Sequence, residues 1–584
     1  MKIGFSSRLF AAAPLLALTV SSFAQTVADP APLSSDKAVE LAPLTIKGAR
    51  DLPPPEEWHH ADIEGFEVLS NASVNTTNRL LMDFQKFRQA LQLVWPVPAQ
   101  AGVSSSLIFC GRKDKFLDFT PNGKADANTG LVSLFLRDRE QTAIIIDLEP
   151  TNFSPTDLAA QMPGMMGNAE IVVDPYRQLY REYVRFLLAR SDTPPPPWLI
   201  EGLSQIIMDI EFTDRWIIAG RIDPKKGVLS GGDMSADENG SVAVSDATVG
   251  DSPFNAALLH RKLLPMDQFF AVAADAPEVR NPLGNNLWAK QAYAFVHFCL
   301  CGADPKFQQP LAQFLKRLRA EPASDKLFQE CFKISYQEML DKLYGYISYT
   351  NHKSRTYQLP KNQRLMAEDV VMRDATQGEI GRIKGDAQRL AGRRVDALTT
   401  YRTAYARGEH DSLLLGALGV EELHAGQTER ALKQLDAALK AGPVRPSAYL
   451  ALARSRGDAA KAKPAATDGK WSANQVAGVL EPLFHALALS PALPETYELI
   501  AEAWALSAVR PTLENVQVLG EGVLKFPRNS ALAYEAARLF IRASDTENAT
   551  AIAQLGLRFA KDGETRERFE ALLATLPVAK PALP

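Results

Sequence analysis

Ala397, Tyr401 and Ala404 recur 34 residues later as Ala431, Leu435 and Ala438. Within each set the steps of four and three place all three side chains on one face of a helix. Small residues at the outer positions let a second helix approach closely. A helical hairpin of this length cannot bury its apolar face alone, so successive copies must stack. Looser copies follow at Val479, Leu483 and Ala486, and at Val516, Gly520 and Val523, displaced by an insertion rich in Ala, Lys and Gly over residues 459–470. Strand patterns vanish after about residue 365. The expectation is an all-α solenoid over residues 365–580.

The chain has 584 residues, too many for one hydrophobic core, so the solenoid must share it with other units. Residues 1–24 have the pattern of an export signal: Lys2 and Arg8, an apolar run from Leu9 to Val20, and Ser22-Phe23-Ala24 before Gln25. This predicts a periplasmic or secreted protein of a bacterial envelope. No later run is long enough to span a bilayer, so no transmembrane segment is expected once the signal is removed. A Pro-rich linker follows over residues 25–55. A net charge of −4 gives no reason to invoke nucleic acid. Four cysteines, Cys110, Cys299, Cys301 and Cys331, are too few for a disulfide framework. They are read as buried free thiols, with a single Cys110–Cys331 or Cys301–Cys331 bridge as the alternative.

From Gly65 the pattern is α+β: a strand at Phe66–Leu69, a helix at Thr76–Leu93, and strands at Ser105–Cys110, Leu131–Leu136 and Ala143–Leu148. Beyond Pro175 it turns helical. Leu179, Tyr183, Phe186 and Leu187 make Tyr176–Ala189 amphipathic, and Trp198–Ile210 follows the stiff run Pro194–Pro197. Polar stretches near 354–372 and 459–470 are taken as exposed connections.

The segment from Leu179 through Arg181-Glu182 and Arg185, with Trp198-Leu-Ile-Glu201-Gly-Leu on the next helix, resembles the core of a gluzincin metallopeptidase. That family carries HExxH on one helix and a Glu ligand in a Trp-x-x-Glu-Gly-Leu setting on the next. The resemblance runs from about Trp58 to Lys353. Ile210–Ile222 is similar to the strand pair, and Leu287–Leu300 to the later aromatic helix, of related domains often found beside tetratricopeptide repeats. It implies an α+β gluzincin-like peptidase scaffold over residues 56–355, followed by a tetratricopeptide-type solenoid. In that alignment Glu182 holds the general-base position and Glu201 the third-ligand position. The two zinc-binding histidines fall on Arg181 and Arg185. A guanidinium offers no lone pair to a metal, so the implied site is degenerate, and no metal, cofactor or catalytic residue is expected. Arg181 and Arg185 lie one turn apart and can instead pair with Glu182 and Glu201; a solvated stripe of Arg177, Arg181 and Arg185 is the plainer alternative.

Other candidates carry less chemistry. His59 and His60 are adjacent and diverge on any regular element, and His297, Cys299 and Cys301 diverge on a helix. Asn71 and Asn75 sit in glycosylation sequons that carry no meaning in a bacterium. No Gly-rich phosphate loop or Gly-x-Ser-x-Gly elbow occurs. Two functions remain: a non-catalytic binding or scaffold protein that holds a protein or peptide partner through its helical repeats, or a hydrolase using Glu182 and Glu201 without zinc.

Overall fold

Successive strand side chains point to opposite faces, so the consecutive apolar residues at 107–110 and 143–146 require a cover on each face of the sheet. The computed structural model describes residues 52–95, 103–127, 129–149, 174–189, 194–222, 253–259, 261–281, 283–302, 305–319, 321–349, 352–464, 469–560 and 562–576. The residues 1–24 expected to be an export signal and nearly all of the expected Pro-rich linker lie outside them. From Pro54 onward the chain forms one compact unit.

Strands β1 (His59–Ile63), β2 (Phe66–Ser70), β3 (Ser104–Cys110), β4 (Ser133–Arg137), β5 (Gln141–Asp147) and β9 (Arg373–Asp374) form a sheet in the order β4-β5-β3-β2-β1-β9. The pairs β2/β3 and β3/β5 are parallel and the others antiparallel. β1 lies upstream of the strand pattern expected from Gly65. A smaller sheet joins β6 (Glu211–Phe212), β7 (Trp216–Ala219) and β8 (Arg355–Gln358).

One face of the large sheet presents Val68, Leu107, Phe109, Ile144 and Ile146 to a core shared with helices α1 (Val74–Val94), α2 (Pro175–Ala189), α3 (Pro197–Met208) and α4 (Leu287–Cys301). The opposite face presents Leu69, Ile108, Cys110, Ala143 and Ile145, together with Trp58, to Ile380, Ile383 and Ala387. Those three belong to helix α5 (Gln377–Leu390), the first helix of the repeat region. One helix is therefore both the outer layer of the sheet and the start of the solenoid.

The solenoid continues as antiparallel pairs: α5 with α6 (Arg394–Ala406), α7 (Ser412–His424) with α8 (Thr428–Ala441), α9 (Pro446–Ala462) with α10 (Ala473–Leu487), α11 (Pro494–Leu506) with α12 (Leu513–Lys525), and α13 (Ser530–Arg542) with α14 (Thr546–Phe559). A last helix, α15 (Gly563–Ala574), closes the end, with Phe569 buried against α14. Ala397, Tyr401, Ala404, Ala431, Leu435 and Ala438 are all buried, as the period predicts.

Two expectations about connections need correction. Residues 354–372 are not an open link: β8 pairs with β7, and Leu359 and Leu365 are buried in the main core. The insertion at 459–470 begins inside α9, which runs to Ala462. All four cysteines are buried and free, and burial pushes the Cys299 and Cys301 thiols up, the latter to about 11.

Candidate functional site

Helix α2 has two working faces. Leu179, Tyr183 and Phe186 enter the core beneath the sheet, while Arg181 and Arg185 reach α3 and Gln178 and Glu182 lie against β4. Pro197 at the first turn of α3 sacrifices no hydrogen bond there. Glu201 and Gln205 lie one turn apart on α3. Gly202 sits against α4, where an added Cβ would fall 2.6 Å from the Ala292 carbonyl and 2.5 Å from Val296. Only glycine lets α3 and α4 approach this closely, and the approach aims Glu201 at α2.

The structure brings all four residues named from the sequence together. Arg181 donates through Nη2 to both oxygens of Glu201 at 3.0 and 3.2 Å, and Arg185 donates to Glu201 Oε2 at 2.8 Å. Arg185 also reaches both oxygens of Glu182 at 3.3 Å. Arg181, Glu182 and Glu201 are buried; the Arg185 side chain keeps 21% of its exposure. The two cations and two carboxylates sum to zero charge. The solvated-stripe alternative does not hold, because Arg177 pairs with Asp209 and lies inside as well.

Several partners escaped the sequence reading. Ser133 on the edge strand β4 donates to Glu182 Oε1 at 2.8 Å. Gln205 donates to Glu201 Oε1 at 2.9 Å and to the Gly284 carbonyl at 2.8 Å, and Lys290 on α4 donates to Gln205 Oε1 at 3.0 Å. Gly284, at φ +60, rests on the cluster: a Cβ there would stand 2.3 Å from Glu201 Oε1 and 2.7 Å from Arg181 Nη2. Its only sequence signal was a glycine three residues before α4.

Burial by itself would raise the Glu201 carboxyl. The guanidiniums of Arg181 and Arg185 overcome that and hold it at about 2. Burial, then the neighbouring Arg185, pushes the Arg181 guanidinium down, while Arg185, flanked by both carboxylates, is pushed up. Both carboxylates of the cluster are already engaged by cations. As a donor set for a metal it offers two carboxylates and two groups with no lone pair. Among the described residues no group of three or more His, Cys, Asp or Glu is placed to hold a metal ion.

The other candidates are spread apart. His60 on β1 lies 3.4 Å from Glu67, and His59 faces Asp374 at 3.3 Å. His297 is a buried bridge on α4: its Nε2–H donates to the Gly220 carbonyl at 2.8 Å, and Nδ1 accepts from Tyr346 Oη at 2.7 Å. Burial lowers its pKa to about 4, so it is neutral and structural.

No family model matches the chain, and no curated protein matches it. Among solved structures it is similar to YrrB, a TPR protein with an unusual peptide-binding site, at 13% identity over 33% of this chain and 90% of that one, with a TM-score of 0.26. It is also similar to the MamA protein (13% identity, 35% and 98%, TM-score 0.25) and to TTC0263, a thermophilic TPR protein of Thermus thermophilus (19%, 34% and 99%, TM-score 0.24). Each match covers about a third of this chain, and the repeat architecture described above rests on the helix pairs themselves.

Proposed function

We propose that this chain is an exported, non-catalytic scaffold: a degenerate gluzincin-type metallopeptidase domain fused to a tetratricopeptide-like array that holds a protein or peptide partner. The observation that carries it is the pairing of Arg181 and Arg185 with Glu201 and Glu182. Arginines at the two positions where the gluzincin pattern has histidines tie α2 to α3 by charge, the part a metal plays in the active relatives. The planar fork of arginine suits carboxylates in this role.

The same geometry argues against hydrolysis by Glu182 and Glu201. A general acid or base works best with a pKa near the working pH, whereas Glu201 is held near 2 and both carboxylates are engaged by guanidiniums. With Gly284 seated on Glu201, the cluster also leaves no room for a peptide between its members. The stacked helix pairs supply the extended surface on which such arrays engage partner segments. The test is metal analysis and a casein cleavage assay on the purified mature chain. No stoichiometric zinc and no cleavage are expected; one equivalent of zinc whose removal abolishes a measured activity would overturn the reading.

A further inference from the structure

Tyr534, Arg538 and Ile541 are spaced by four and three along α13, and Arg568, Leu572 and Thr575 repeat that spacing along α15 and its C-cap, so each set shares a helix face. The two faces meet. Phe569 packs edge-on against the Tyr534 ring at 5.6 Å, and the Arg568 guanidinium lies 4.4 Å from the centre of that ring. Together with Ala505 near the end of α11 they border a cavity of about 320 Å³. Half-buried Ile541 and Leu572 give it apolar walls, and Glu535, Arg538 and Arg542 supply its charged groups. This is the size and make-up of a small binding pocket, at the lower end of the usual range of roughly 300–1,000 Å³.

The charges here do not balance. Arg542 donates to the carbonyls of Trp504 at 2.9 Å, Ala505 at 3.3 Å and Ser507 at 3.4 Å, where the carbonyl end of α11 favours a cation. Arg568 is exposed and lies on the Tyr534 ring. Among the described residues neither guanidinium pairs with a carboxylate. Arg538 does pair, with Glu535 one turn away on the same helix at 3.0 Å, but its side chain is 55% exposed. An exposed pair of this kind is weak, so Arg538 can exchange Glu535 for another carboxylate at little cost. Three guanidiniums against one carboxylate leave this corner positive in a chain whose net charge is −4.

We propose that this cavity binds an acidic peptide segment of a partner protein, with one apolar side chain of the segment between Ile541 and Leu572 and its carboxylates on Arg538 and Arg568. The planar fork of arginine matches a carboxylate with two parallel bonds, and Tyr534 beneath Arg568 holds that fork in place. Arg542, fixed on α11, adds a positive field that draws an acidic segment in. Three helices contribute, α11, α13 and α15, so an extended segment crosses them as partner segments do in helical grooves. The proposal rests on the reading of the repeats as an array that holds a protein or peptide partner. It does not depend on the degenerate-peptidase reading, which the metal and casein assays test separately.

The experiment measures fluorescence anisotropy of labelled peptides with the full mature chain. The probes are three pools of end-blocked octapeptides with mixed Leu, Ile, Val and Ala at alternate positions, the remaining positions being all Glu, all Gln or all Lys. The Glu pool should bind the parent at least about 10-fold more tightly than the Gln pool, and the Lys pool should not bind. Arg538→Gln combined with Arg568→Gln should bring the Glu pool down to the level of the Gln pool; both arginines are exposed, and matching melting curves check that the fold is kept. Leu572→Asp, which places a carboxylate on the cavity wall, should weaken the Glu pool by a similar factor. A Glu pool that binds the parent and stays within about two-fold in either variant would put the acidic segment elsewhere, overturning this site while leaving the array a partner-holding one. Equal binding of the Glu and Gln pools would overturn the charge basis of the site. No binding of any pool would overturn the site and count against the array reading as well.

Discussion

Replacing Glu201 by alanine removes the one group that accepts from Arg181, Arg185 and Gln205 together. Arg181 is fully buried, so its charge cannot turn to water. Breaking a buried pair from one side costs about 3–5 kcal/mol, against about 0–1 kcal/mol for an exposed pair. Read as local opening of α2 and α3, that is a rise of about 150- to 5,000-fold in amide exchange, provided reclosing stays fast. Glu201→Gln keeps the volume and should fall in the same range, because buried Arg181 still loses its carboxylate and Arg185 keeps only Glu182. Removing both signs at once, with Arg181→Met and Glu201→Leu, should recover most of the loss, since an apolar replacement of a buried pair is often neutral. The carboxyl's contribution is complete above its unfolded value of 4.5 and disappears as pH falls toward 2. The assay is hydrogen exchange at pH 7, resolved to α2 and α3. Exchange within a few-fold of the parent in Glu201→Ala, or no recovery in the double variant, would refute the cluster as the tie between these helices.

Gly284→Ala should destabilise by about 2–4 kcal/mol, from a left-handed backbone and a collision with Glu201, whereas Gly392→Ala, at φ +82 with open space around it, should cost about 1 kcal/mol; paired urea melts check the difference. A chain ended at residue 365 should aggregate, because losing α5 uncovers the sheet face and forfeits about 3–6 kcal/mol from Ile380 and Ile383 alone; ending it at residue 408 should restore solubility. His297, held at about 4 when folded against 6.5 unfolded, contributes stability that is complete above 6.5 and is lost as pH falls toward 4, about 2 kcal/mol of it by pH 5. His297→Gln should flatten that dependence in melts at pH 7.5 and 5.

The periodic parts of the fold were legible because the period is the packing. Ala397, Tyr401 and Ala404 announce a helix face, and the short apolar run beginning at Ala143 fits a strand buried on both sides. That a helix beginning at Gln377 covers the second face of the sheet was not legible, since that contact spans more than 200 residues. β1 was missed because His59, His60 and Asp62 mask its alternation, and β8 because Arg355–Gln358 is mostly exposed. At the site, the one-turn spacing of Arg181 and Arg185 and the setting of Glu201 were visible. Ser133, Gly284 and Lys290 were not, since each reaches the cluster from a different element through tertiary packing alone.

The central claim is that arginines occupy a former metal site. Arg181→His combined with Arg185→His would place two imidazoles beside Glu201, the set a catalytic zinc accepts. The most direct measurement is zinc content, by mass spectrometry, of the parent and this double variant purified side by side and dialysed against trace zinc. The account predicts no stoichiometric zinc in the parent and about one equivalent in the variant, with the variant's melting temperature rising with zinc and falling with chelator. One tightly held equivalent in the parent, or a variant that neither binds zinc nor responds to it, would contradict the account.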